Sequence, residues 1–144
     1  MNKVYIASGW FNEEQSRDLE RIKSLLKELS ISYFSPKDEC LVSSNEKITN
    51  QEKVFQDNIE AIQKAPFIVA NTRGKDMGTI FECGVAYSNH IPIIYYCEGL
   101  KGHFNLMLSR SGRAVATNIN ELKEYIANII LDPSYNSSYK GKVE

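Results

Sequence analysis

The chain has 144 residues, a formal net charge of −1 at pH 7, and 42% hydrophobic and 24% charged residues. That length suits one domain burying about two thirds of its unfolded surface, and the near-neutral balance argues against nucleic acid or an anionic membrane as the main partner. Cys40, Cys83 and Cys97 are odd in number without C-x-x-C spacing, so neither a disulfide framework nor a zinc site is expected and a reducing cytoplasm is the simpler setting.

The opening "MNKVYIASGWF" enters a strand pattern at residues 3–8 with no long apolar leader, and no run approaches the ~18 apolar residues of a membrane span, so a soluble, unexported protein is expected. Asn12 with Glu13 and Glu14 marks a helix start, and Leu19, Ile22, Leu25, Leu26 and Leu29 recur at three and four, giving one apolar face. "ISYFSP" reads as a second strand closed by Pro36. From Pro36 to Asn50 the chain turns polar and loses period, which predicts a long loop of the kind that covers a site. Helical spacing returns through Val54, Phe55, Ile59 and Ile62. "PFIVANT" is a continuous apolar strand, "RGKDMG" a loop, and a short helix opens near Thr79 and leads to the strand "IPIIYYCE". A loop with "HFNLMLSRSG", a strand "AVAT", the helix "NINELKEYIANIIL" and a polar tail from Asp132 complete the pattern.

Strands apolar throughout, alternating with amphipathic helices, predict an α/β fold: a parallel sheet of about five strands between two helical layers, flavodoxin-like and single-domain over residues 1–144. Ligands of such sheets bind beyond the carboxyl ends of the strands. Here those are the loops at residues 8–12, 36–50, 72–79 and 97–105.

Two readings of Glu82 stand open on the residues alone. Thr79-x-x-Glu82 matches a capping box in the first helical turn. Alternatively, the helix N-terminus keeps the carboxylate ionised beside a strand-end loop, as displacement at a sugar carbon requires. Asp76 is either a solvated turn residue or a second acid at the same crevice, and Tyr5 is either core or a hydroxyl seeking a partner. "ASGWF" and "GTIFECG" match no glycine-rich phosphate cradle, which disfavours nucleoside triphosphates and dinucleotides. His90 and His103 have no metal-ligand spacing, so no metal or other cofactor is expected. Lys101, Arg110 and Arg113 are either a phosphate-holding cluster or solvated side chains.

These pieces together resemble the nucleoside 2-deoxyribosyltransferases. The matching segments are "YIASGWFNEEQ", "VFQDNIEAI", D-x-G-T-x-x-E-x-G-x-A from Asp76 to Ala86, and "NLM" at Asn105 to Met107, in the family's order over roughly residues 3–110. The resemblance implies base exchange between 2′-deoxynucleosides and free nucleobases through a covalent deoxyribosyl ester on Glu82, with net retention at C1′. It implies that Tyr5 orients this nucleophile and that Asp76 contacts sugar hydroxyls. Gly9 and Phe11 fall among the substrate-binding residues of the first segment. Asn105 matches an asparagine donated to a neighbouring subunit's site, so a homo-oligomer built from dimers, up to a hexamer, is implied. Two positions depart from the family. Asn58, with Asp57 beside it, stands where a base-contacting aspartate is usual, and Cys40 stands where a glutamine is common. A neutral amide is a poor general acid, so base preference is expected to differ. The ending "YKGKVE" resembles the family's, whose terminal carboxylate approaches the site. The alternatives are an N-glycoside hydrolase of nucleoside 5′-monophosphates using Lys101, Arg110 or Arg113, and a non-catalytic nucleoside-sensing module with Glu82 as a mere cap.

Overall fold

A computed structural model describes residues 1–39 and 47–144. The elements in chain order are β1 (Val4–Ala7), α1 (Glu13–Glu28), β2 (Tyr33–Phe34), α2 (Pro36–Glu39), α3 (Ile48–Lys64), β3 (Ile68–Asn71), α4 (Met77–Ser88), β4 (Ile93–Tyr96), α5 (Leu106–Ser111), β5 (Ala114–Ala116) and α6 (Ile119–Leu131). The strands form one parallel sheet in the order β2-β1-β3-β4-β5. The chain reverses its direction of winding between β1 and β3, which opens a crevice at their carboxyl ends.

The apolar strands follow from coverage on both faces. Because successive side chains point to opposite sides, Val4 and Ile6 of β1 join Leu19, Ile22, Leu25 and Leu26 of α1 and Leu122, Ile126 and Ile129 of α6 in one core layer. Tyr5 and Ala7 join Ile62 of α3 and Cys83 and Ala86 of α4 in the other. The alternation therefore puts Tyr5 on the α4 side of the sheet. Ile22, Leu26 and Leu122 are fully buried, and each such side chain contributes about 1.5–3 kcal/mol relative to exposure. Helix starts are set by Asn12 and Asn118, whose side chains accept from the N–H of Gln15 and Glu121.

Several expectations are corrected. The first turn of α4 is capped by Asp76, whose Oδ2 accepts from both the N–H and the hydroxyl of Thr79 at 2.9 Å. The helix thus begins at Met77, Thr79 is not its cap, and Glu82 lies in the second turn with no capping box to make. The loop around "HFNLMLSRSG" contains α5, started by Asn105 and ended at Gly112. The tail from Asp132 returns to the sheet: Phe104 and Val143 form a parallel bridge, and the Tyr139 ring lies 5.7 Å from that of Phe104. Arg113 donates to the carbonyls of Pro133 and Tyr135, and Arg110 to that of Tyr139. The two arginines expected as a phosphate cluster or solvated side chains thus hold the tail. The long loop expected between Pro36 and Asn50 is helical at both ends, in α2 and α3. Cys40 lies outside the described residues. No helix among the described residues is long and apolar enough to cross a membrane.

Candidate active site

A cavity of about 400 Å3 opens at the carboxyl end of the sheet. Ser8, Trp10 and Phe11 after β1 form one wall, with Phe55, Asn58, Ile59 and Ile62 of α3 opposite. Asp76, Gly78, Phe81 and Glu82 from the start of α4 complete it. Phe11, Phe55 and Phe81 are exposed to 72%, 47% and 54%, so three phenyl rings face open space where a flat, apolar ligand would cover them. The Phe55 and Phe81 ring centroids are 6.0 Å apart, and those of Trp10 and Phe11 5.0 Å.

Glu82 reaches this cavity from the second turn of α4, and the Tyr5 hydroxyl donates to its Oε2. Tyr5 is fully buried in β1, its ring stacked on Phe34 at 5.6 Å, so the hydroxyl is presented from a fixed frame. Burial pushes the Glu82 carboxyl up to about 7, the Asp76 charge adds to the rise, and the bond from Tyr5 opposes it. The expectation that the helix N-terminus keeps this group ionised is therefore corrected: one turn further along, desolvation outweighs the helix dipole, whose influence fades within the first turn. Cys83, next in sequence, faces the core, and burial raises its thiol to about 12, which makes it inert as a nucleophile.

The supporting polar groups run behind the wall. Asn71 Nδ2 donates to Ser8 Oγ at 3.1 Å, and the Arg73 N–H donates to Asn71 Oδ1 at 3.2 Å. The Arg73 guanidinium grips the fully buried Asp18 through Nε at 2.6 Å and an Nη at 2.9 Å, tying α1 to the loop that carries Asp76. Asn58 contributes a buried Oδ1 that has no hydrogen-bond partner among the described residues, and a buried acceptor left unmet costs about 1–3 kcal/mol.

Glu82, Tyr5, Asp76, Asn58 and Phe11 are thus brought together, with Gly9 just behind Phe11, packed on Gln15. Asp57 is not: it pairs with Lys53 at 2.7 Å and faces a separate cavity with Lys3, Phe34 and Lys64. Asn105 also lies apart within the chain, exposed at the start of α5 and bordering a third cavity with Lys75, His103 and Glu144. Gln15, Arg73, Phe81 and the cavity-facing role of Phe55 were not anticipated. Phe55 reads as core because helical period reports an apolar face without saying what covers it. No trio of His, Cys, Asp or Glu converges as a metal site among the described residues.

A family model described as nucleoside 2-deoxyribosyltransferase matches residues 4–128. The chain belongs to the nucleoside 2-deoxyribosyltransferase family. Among solved structures it is similar to a 2-deoxyribosyltransferase from the psychrotolerant bacterium Bacillus psychrosaccharolyticus, with 26% identity, 95% of this chain and 98% of the other covered, and a TM-score of 0.80. A conserved protein from Enterococcus faecalis is similar at 18% identity, with 89% and 98% covered and a TM-score of 0.73. A CMP N-glycosidase from Clostridium botulinum follows at 14% identity, 88% and 99% covered, TM-score 0.59. The latter two share the fold. No curated protein matches the sequence. As a nucleoside 2-deoxyribosyltransferase family member, the chain carries Glu82, Tyr5 and Asp76 within the matched span.

Proposed function

We propose that this protein exchanges the base of 2′-deoxynucleosides through a covalent deoxyribosyl ester on Glu82. The observation that carries the reading is a carboxyl group held by Tyr5 at the wall of an aromatic-lined cavity of nucleoside size. Tyr5 occupies Oε2, which leaves Oε1 to attack C1′. As the O–C1′ bond forms, the C1′–N bond breaks and its electron pair leaves with the base; a second base then displaces Glu82 from the opposite side, so two inversions give retention. The departing base gains a proton and the entering base gives one up, so protons balance over the exchange. A desolvated carboxylate suits this step because the positive charge growing at C1′ replaces the hydration it has lost. The phenyl rings of Phe11, Phe55 and Phe81 supply stacking surface for the base, and Asp76 keeps Oδ1 for a sugar hydroxyl while Oδ2 caps the helix. Asn58 contacts the base edge.

No Lys or Arg lines the cavity among the described residues, which disfavours a 5′-monophosphate substrate. Asn105 and the neighbouring Met107, which is 74% exposed, support a dimer-based assembly in which Asn105 completes the neighbouring site. The free thiols of Cys83 and Cys97 suit a cytoplasmic role in nucleotide salvage. The test is incubation with thymidine and adenine, measuring deoxyadenosine and, by mass spectrometry, a sugar adduct on the protein. Deoxyadenosine with an adduct lost in Glu82→Ala is expected. Base release without transfer, or equal activity in Glu82→Ala, refutes the mechanism.

A further inference from the structure

Gln15 takes no part in that chemistry, yet it is 4% exposed and joined to both loops that border the cavity. It sits in the first turn of α1, where its N–H is taken by Asn12 Oδ1 at 2.9 Å. A glutamine at this position ordinarily folds back onto the N–H of the cap residue itself. Here Oε1 accepts from the N–H of Phe11 at 3.0 Å, and Nε2 donates to the carbonyl of Arg73 at 3.4 Å. Two glycines make room for it: a Cβ at Gly9 would lie 2.8 Å from Gln15 Oε1, and one at Gly74 would collide with Nε2. The far anchor is firm, because the Arg73 side chain is held by the buried Asp18. Between that anchor and Asp76 the chain makes a tight left-handed turn, φ 82° at Gly74 and φ 51° at Lys75, so a shift of the Arg73 carbonyl is passed to Asp76.

We propose that Gln15 is a positioning residue: its carboxamide braces the Phe11 wall against the Asp76 loop and so sets the width of the opening that admits the nucleoside. The inference rests on reading the cavity as a deoxynucleoside site. Glu82 and Tyr5 sit on α4 and β1 and are not held by Gln15, so the brace acts on binding rather than on the nucleophile.

The experiment uses Gln15→Met, which fills the gap between the glycines but makes neither hydrogen bond, alongside Gln15→Ala. With adenine saturating, KM for thymidine is expected to rise about tenfold in both variants, as the loss of two hydrogen bonds implies, while kcat stays within about twofold. Amide exchange at Phe11 should quicken while that at Tyr5 and Ile6 is unchanged. A wild-type KM in Gln15→Met overturns the brace, as does a fall in kcat accompanied by faster exchange throughout β1, which marks a merely structural role. A wild-type protein that makes no deoxyadenosine sinks the reading of the cavity, and the role of Gln15 in transfer with it; an active wild type beside an unaltered Gln15→Met sinks only the latter.

Discussion

Replacing Tyr5 by Phe removes one hydroxyl from the pair with Glu82 and leaves the ring stacked on Phe34. A hydrogen bond to a charged group contributes about 1.5–3 kcal/mol, and one pKa unit corresponds to about 1.36 kcal/mol. With the bond in place the carboxyl stands at about 7, and the bond is what holds it down against burial, so its loss raises Glu82 further, to roughly 8–9. The reaction needs the carboxylate, so kcat/KM rises with pH through this value and the acidic limb moves upward in Tyr5→Phe. At pH 7 the ionised fraction drops from about half to roughly 1–10%, a loss of about five- to fiftyfold that is largely recovered near pH 9. The assay is the pH profile of thymidine-to-adenine exchange for both proteins. A limb that stays put, with an equal loss at every pH, shows that Tyr5 only orients Glu82; a limb that moves down refutes the electrostatic argument.

Asp76→Asn should move the same limb the opposite way, because it removes the charge that helps raise Glu82 while an asparagine still caps α4; a limb at or above the wild-type position counts against it. Glu82→Gln should stabilise the fold at pH 8 but not at pH 4. The folded carboxyl titrates above its unfolded value of 4.5, at about 7, so ionising it costs stability progressively between pH 4.5 and 7, on the order of 3 kcal/mol in full; urea unfolding at the two pH values measures the difference. Asp18→Asn removes the buried partner of Arg73 and should destabilise by about 3 kcal/mol, read from the urea midpoint. Gly74→Ala combines a positive φ with a collision against Gln15, and is expected to lower stability by more than about 1 kcal/mol and to raise KM for thymidine.

The sheet was legible because β1, β3, β4 and β5 are buried along their length, which writes them as apolar runs such as Ile68, Val69 and Ala70. Its edges were less so. Ser8 just beyond β1 is polar yet buried, so its small side chain does not show where the strand ends. The start of α4 was misread because Thr79 and Glu82 have the spacing of a capping box, and nothing in the letters shows that Asp76 has already captured Thr79. Nor do the letters show the burial of Glu82, which raises its carboxyl where a helix N-terminus alone would lower it. At α5 the signals were present, Asn105 before it and Gly112 after it, but one and a half turns are too short to show a period. Within the site, adjacent Asp57 and Asn58 differ by one step around α3, enough to send one to Lys53 and the other to the cavity. Gln15 was hidden for a different reason: its partners are backbone atoms, which no residue pattern records.

The side chain of Asp76 both starts α4 and forms part of the cavity wall. Efforts to redesign acceptance of the sugar by mutating this position therefore have a narrow alphabet. Only the few short residues able to begin a helix keep the platform under Glu82, and bulkier choices loosen it before they alter the ligand. Libraries aimed at new sugars should leave this codon nearly constant and vary Phe55 and Phe81, which hang from α3 and α4 without capping either.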